Sequence, residues 1–277
     1  MAGIFFEETR LVNQRVIAID AGNSRIKIGL LDHAAPSGAR PTCYQDLVIP
    51  LGKPVPFTRL VDWVHQSKIP VSQVLFSGSN PPVINELVEL CGEYELPEPY
   101  QVSRQLPLKI NVDHPDKVGM DRLLNAIGVN AARSEKQPAI IVSCGTACTV
   151  DWIDSAGKFC GGSILPGFEM SAKALHHYTA LLPEIPVEEL HTAPPHGLGK
   201  NTRAALQSGL FWGQVGAVRE LITQLTELAK ETGEILPELY LTGGGATLLA
   251  PQFPEAILEP HLTLYGIVIS ANYQAEN

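Results

Sequence analysis

The chain changes hydrophobic period several times, and each change marks an element. Val16-Ile17-Ala18-Ile19 is a continuous apolar run, as in a strand buried on both faces, whereas Ile26, Ile28 and Leu30 alternate with Lys27 and Gly29 like a half-buried partner. The same pattern returns at Ile140-Ile141-Val142, followed by Ser143-Cys144-Gly145-Thr146 and a second β-rich run through Val150 and Trp152. Laid on the first copy, Ser143 falls on Asp20, Gly145 on Gly22 and Thr146 on Asn23. Val74 to Asn80 is a buried strand ending in a small-residue turn, and Leu239 to Ala246 repeats it. Leu47-Val48-Ile49 predicts a further strand within the proline- and glycine-rich segment from Pro36 to Pro56.

Helical spacing covers Thr58 to Gln66, with Thr58 as a cap, and Pro81 to Leu90, with proline in its first positions. From Arg122 onward, Leu123, Leu124, Ile127, Val129 and Ala131 form a broad apolar face. Gly161 to Gly167 reads as a glycine-rich connector before a helix from Phe168 to Tyr178. A long helix from Arg203 to Leu228 carries Ser208, Gly209, Gly213 and Gly216, small enough to let another backbone approach. Because the elements recur in one order, the chain is expected to form two related α/β domains, 1–127 and 128–277, with a ligand cleft between them.

Between the first two strands, Asp20 precedes a Gly-Asn-Ser turn. Gly22 at positive φ would let backbone N–H groups converge on an anion, and Asp20 would hold magnesium beside it. A plain β-hairpin accounts for this stretch equally well. Asp121 and Arg122 open a helix, where an acid is also favoured simply by the helix dipole. Gly199-Lys200-Asn201-Thr202 is either an anion-binding helix start or an ordinary cap. His65 is expected on the surface, and adjacent His176 and His177 point in different directions, so neither is assigned.

Composition narrows the partners. The 277 residues carry a net charge of −9 from 29 acids and 20 bases, without a dense Lys/Arg cluster, so a small molecule is expected rather than a nucleic acid. The absence of a long apolar run and the two acids near the front argue against a membrane span and a secretory leader, giving a cytoplasmic expectation. The five cysteines form no zinc-type spacing, and Cys144 and Cys148 lack a nearby histidine to complete a metal set, so reduced thiols are expected.

Taken together, DAGNS (Asp20 to Ser24), GMDR (Gly119 to Arg122), CGTACT (Cys144 to Thr149), GGSILPG (Gly161 to Gly167), TALLP (Thr179 to Pro183), GKNT (ending at Thr202), QSGLFWG (Gln207 to Gly213) and TGGGA (Thr242 to Ala246) resemble type III pantothenate kinases over almost the whole chain. The resemblance implies the duplicated ribonuclease-H-like fold of the acetate kinase, sugar kinase, Hsp70 and actin superfamily. It also implies a homodimer that phosphorylates pantothenate with ATP, magnesium and a monovalent cation, potassium or ammonium, in the first step of coenzyme A synthesis.

Residue by residue, it implies a phosphate loop of Asp20, Ala21, Gly22, Asn23, Ser24, Arg25, Ile26 and Lys27, with Asp20 on the magnesium side. Thr146 is a second phosphate contact, and Gly243 to Gly245 an adenosine loop. Gly119, Met120, Asp121, Arg122 and Thr202 contact the substrate, Asp121 as catalytic base and Arg122 at the pantothenate carboxylate. These residue types suit phosphoryl transfer, which needs positioning, charge neutralisation and a carboxylate to accept the hydroxyl proton. Two positions depart from the family pattern: Ser143 stands where an Asp usually binds the monovalent cation, and Val112 where a substrate-contacting Tyr is frequent. They keep open a non-catalytic member of the same fold, or a kinase for another small hydroxy acid or sugar.

Overall fold

The computed structural model describes residues 14–33, 40–191 and 193–277. The N-terminal stretch bearing on a leader and the Pro36 end of the proline-rich segment lie outside them. The first apolar run becomes β1 (Arg15–Ala21), central in a sheet with β2 (Arg25–Asp32), β3 (Cys43–Pro50), β4 (Val71–Gly78) and β5 (Pro99–Gln101), in the order β3-β2-β1-β4-β5. β1 runs antiparallel to β2 and parallel to β4. Val16 to Ala21 are all buried, the condition under which a strand is written as an unbroken apolar run. Helix α1 (Phe57–Gln66) buries Phe57, Leu60 and Trp63, but begins one residue before Thr58, directly after Pro56, and has no side-chain cap. Helix α2 (Pro81–Glu93) starts with its two prolines, whose missing N–H groups would have no helical acceptor there.

The second sheet repeats the first. β6 (Ala139–Cys144), β7 (Ala147–Ile153), β8 (Phe159–Pro166), β9 (Glu238–Thr242) and β10 (Ile257–Leu258) lie in the order β10-β9-β6-β7-β8, with the same parallel and antiparallel senses. Ser143 is opposite Thr149 and Thr242, as Asp20 is opposite Lys27 and Ser77. Gly161 to Pro166 is therefore edge strand rather than connector. Its glycines mask strand propensity, but one is required, since a Cβ on Gly162 would come within 2.2 Å of the Val150 carbonyl and 2.5 Å of Asp151 Oδ1.

Helix α3 (Met120–Ala132) follows β5, and α4 (Phe168–His177), α5 (Thr202–Glu231) and α6 (Ala246–Leu249) belong with the second sheet. A last helix, α7 (Leu262–Glu276), follows β10. The compact units are residues up to Lys109 with Asp113–Ala132 and His261–Asn277, and Ile110–Val112 with Arg133–Pro260. The division thus differs from 1–127 and 128–277: α3 continues to Ala132, and α7 packs on α3 in the first unit. Glycines set that packing, because a Cβ on Gly128 would be 2.4 Å from the Leu262 carbonyl and one on Gly266 2.1 Å from the Leu124 carbonyl. Buried Thr263 donates a hydrogen bond to Asn125 Oδ1 (2.8 Å) in the same seam.

An exposed helical Gly→Ala change ordinarily stabilises by up to about 1 kcal/mol. At Gly266 the added methyl forces two backbones apart, so Gly266→Ala is expected to destabilise by ~2–3 kcal/mol. Gly92→Ala in α2, where a Cβ meets nothing within 4 Å, should stabilise by ~0.5–1 kcal/mol. Urea unfolding of both variants checks the contrast in sign.

Candidate active site

In the first unit the site is built at the carboxyl end of β1. Asp20 is 8% exposed. Burial pushes its carboxyl up to about 6, Lys27 opposes the shift, and the negative charge of Asp121 adds to it. Asp20 and Asp121, separated by a hundred residues of sequence, are thus close enough to sense each other. Beyond Asp20 the Gly22 N–H donates to the Arg25 carbonyl (3.0 Å) and closes the turn. Gly22 does not adopt positive φ; glycine is needed for space, since a Cβ would sit 2.9 Å from the Arg25 carbonyl. Asn23 Nδ2 donates to Ser79 Oγ (3.1 Å), fastening the tip to the turn after β4.

That second turn has its own backbone constraint. Gly78 has φ of +152°, and a Cβ there would be 2.2 Å from the Ala21 carbonyl. Gly243, its counterpart, has φ of +88° and would meet the Cys144 carbonyl at 2.5 Å. In both units, then, the glycine turn is pressed against the backbone that follows the acid or serine position. Ser79 and Gly78 were not among the expected site residues, although the repeated Ser/Thr-Gly step after a buried strand is their signal.

Gly119 precedes α3, and Asp121 curls back over it, its Oδ1 lying 2.6 Å from where a Gly119 Cβ would be. Asp121 is exposed at the second position of the helix and Arg122 is half-buried. Arg104, outside every motif, holds the approach to this segment by donating to the carbonyls of Pro115 (3.0 Å) and Val118 (2.9 Å). An exposed carboxylate beside a half-buried guanidinium can accept a proton from one end of a substrate while the fork grips a carboxylate at the other.

In the second unit, half-buried Ser143 and Thr146 lie at the end of β6 and in the following turn, where the Gly145 N–H donates to the Ala147 carbonyl (3.0 Å) and the Thr146 carbonyl accepts from the Gly167 N–H (3.0 Å). Fully buried Asp151 accepts from Thr149 Oγ1 (3.0 Å), and fully buried Thr242 Oγ1 has no hydrogen-bond partner among the described residues. An acid inside an otherwise apolar strand was the overlooked sign of Asp151. Val112 packs on this unit, its Cγ1 3.5 Å from the Gly161 Cβ position. Asn201 caps α5 by accepting the Ala204 N–H (2.9 Å), so GKNT contains a cap, with Thr202 exposed at the first helical position. His65 is exposed as expected; His176 Nδ1 lies 2.7 Å from the Leu182 carbonyl. Among the described residues no three His, Cys, Asp or Glu side chains gather as a metal cluster, and no disulfide joins any of the five cysteines.

The family comparison agrees with these motifs. Residues 16–224 match the model of the type III pantothenate kinases. The type III pantothenate kinase of Paramagnetospirillum magneticum is 34% identical over 263 residues, covering 91% of this chain and 95% of its own. In structure, the chain is similar to a Baf family transcriptional activator from Campylobacter jejuni (TM-score 0.56, 17% identity, 94% of this chain and 100% of the other covered). It is also similar to the activator of 2-hydroxyisocaproyl-CoA dehydratase from Clostridium difficile (TM-score 0.50, 13% identity, 95% and 98% covered). The structural likenesses carry the fold alone, two α/β units each built on a five-stranded mixed sheet. With that fold, the match across 16–224 and the relative covering nearly the full chain, this protein belongs to the type III pantothenate kinase family.

Proposed function

We infer that Asp20, Asp121 and Arg122 carry the family's reaction here, the ATP-dependent phosphorylation of pantothenate to 4′-phosphopantothenate in coenzyme A biosynthesis. The observation supporting this assignment most directly is the pairing of a buried acid with a raised pKa and a second, exposed acid whose charge it senses. Asp121 accepts the hydroxyl proton of pantothenate as the oxygen attacks the γ-phosphorus. Arg122 grips the pantothenate carboxylate, with Gly119, Met120 and Thr202 completing the substrate contacts. The turn from Asp20 to Lys27 and Thr146 binds phosphates, and Gly243 to Gly245 the adenosine.

The buried Asp20 carboxyl has too little positive charge around it to ionise at its ordinary pKa, which fits a place for a cation. Asp20 would hold magnesium together with the nucleotide's phosphates. When bound, that ion supplies charge neutralisation to the phosphates.

For the monovalent cation, we assign oxygens around Ser143: Thr149 and Thr242 flank it across the sheet, Thr242 Oγ1 is buried and unpartnered among the described residues, and Asp151 is the carboxylate on the same face. The homodimer is supported by large apolar side chains left exposed at Ile164 (64%), Tyr178 (82%) and Leu181 (92%). Gly209, Gly213 and Gly216 on α5 also accept no neighbour within 4 Å among the described residues. Sedimentation equilibrium tests the dimer. The cytoplasm is the expected compartment for this reaction; no helix among the described residues is long and apolar enough to cross a membrane.

Purified protein with ATP, magnesium and pantothenate is expected to form 4′-phosphopantothenate faster in potassium or ammonium than in sodium. No product in any of the three salts would reject the reaction assigned here. Equal rates in all three would reject the cation site while leaving the kinase reading intact.

A further inference from the structure

Cys144 and Cys148 are opposite one another at the turn end of the β6–β7 hairpin, with Gly145, Thr146 and Ala147 as the turn between them. The Gly145 N–H bonds to the Ala147 carbonyl, inside the pair rather than between the two cysteines, so 144/148 is a non-hydrogen-bonded pair. Such pairs bring Cα atoms to about 4.5 Å and their Cβ atoms closest together. That lies within the range of roughly 4.4–6.8 Å that a disulfide accepts. Opposed residues share a face, and both thiols are buried in the same apolar core, at 1% and 0% exposure.

Cys144 is also tied to the Thr242–Ala246 turn. Its Sγ lies 2.6 Å from where a Cβ on Gly245 would be, and its carbonyl accepts the Gly245 N–H (2.8 Å). A sulfur drawn toward Cys148 leaves the hollow at Gly245, while the loop between the cysteines loses its freedom to adjust. Of the other thiols, Cys43 is opposite Leu31, Cys91 is buried in α2, where burial pushes its thiol up to about 11, and Cys160 on β8 donates its S–H to the Lys158 carbonyl (3.5 Å).

We propose that Cys144 and Cys148 form a reversible disulfide across the base of the Gly145–Ala147 turn, and that closing it weakens nucleotide binding. The second half rests on Thr146 and Gly243 to Gly245 being nucleotide contacts. The oxidant is a hydroperoxide, small enough to enter as the exposed Gly145 turn opens locally. One thiolate attacks a peroxide oxygen, the O–O bond breaks, and a sulfenic acid and water (from hydrogen peroxide) result. The second sulfur then attacks the first, the S–S bond forms, the S–O bond breaks and a second water leaves. The two thiols lose two electrons, the peroxide gains them, and both thiol protons end in water.

The test treats the whole protein with hydrogen peroxide, quenches with catalase, alkylates with iodoacetamide and digests with trypsin. Both cysteines fall in the tryptic peptide 137–158. The expected peptide carries no alkyl group, is lighter by two hydrogens, and takes two alkyl groups only after dithiothreitol. Titration calorimetry with magnesium-ATP, which requires no turnover, should show affinity falling roughly tenfold on oxidation, recovering with dithiothreitol, and unaffected by peroxide in Cys148→Ala. A doubly alkylated or sulfinylated peptide after peroxide overturns the disulfide, and a mapped disulfide with unchanged ATP affinity overturns the switch. If Cys148→Ala fails to fold, the wild-type map and the dithiothreitol recovery still decide both points. Failure of pantothenate turnover in reduced protein would count against the kinase reading and leave the peptide map standing.

Discussion

Asp121→Asn is expected to lower kcat for pantothenate phosphorylation by about a thousandfold, within the 10²–10⁴ range of a lost general base, and to change the KM for pantothenate little. The amide keeps the shape of the side chain that curls over Gly119, so α3 and Arg122 keep their places and only the proton acceptor is removed. Because the Asp121 charge helps raise the Asp20 carboxyl, the same substitution should move the acid limb of the residual activity to lower pH. Steady-state kinetics across a pH series checks both effects. A variant retaining a tenth or more of the wild-type kcat would show that the base lies elsewhere.

Asp20→Asn is expected to have opposite effects on stability and activity. The Asp20 carboxyl is raised from 3.8 to about 6 in the folded protein, so the folded state binds the proton more tightly than the unfolded state between those values. Stability from this group is fully present below the unfolded pKa and is lost as pH rises through the folded one. The ionised carboxylate then costs ~3 kcal/mol, from about two pKa units at 1.36 kcal/mol each. Asn at this position removes that cost, so the ligand-free variant should exceed the wild type by ~2–3 kcal/mol at pH 8 and match it near pH 4. Its kcat/KM should meanwhile fall by ~10²–10³, as expected for a lost electrostatic contact to the transferring phosphoryl group. In the wild type, kcat/KM, which reports the free enzyme, should fall as pH drops through about 6, where the metal-free Asp20 takes up its proton. Urea titrations at the two pH values, with kinetics at pH 8, measure this trade. A variant less stable than the wild type at pH 8 would mean that the buried acid is satisfied by its surroundings.

The hairpins were legible because strands buried on both faces leave unbroken apolar runs, and their recurrence exposed the duplication before any contact was known. Asp20 and Asp121 were legible as residue types; their mutual effect was not, since it depends on burial and on α3 approaching β1. β8 was hidden by its glycines, and the need for one of them, Gly162, whose missing Cβ clears the Val150 carbonyl and Asp151, exists only once the strands are assembled. The expected cap at Thr58 failed because Pro56 already ends the preceding chain and the helix starts at Phe57. The unit to which α7 belongs was also unreadable. Buried around most of its circumference, it shows no apolar stripe to indicate a partner, and its fit to α3 depends on where Gly128 and Gly266 let backbones touch.

The return of α7 to the first unit has a consequence for how the protein is made. Residues 133–260, 128 in number, are translated after α3 and before the helix that covers it. At roughly 5–20 residues per second, the ribosome needs on the order of ten seconds to cross that interval. Throughout it, Leu123, Leu124 and Ile127 of α3, which become buried in the finished protein, await the helix bearing Gly266. The second unit can close as it emerges, whereas the unit carrying both acids has to wait. Nascent chains stalled in this interval are therefore expected to engage chaperones that bind apolar helices, through α3 in particular.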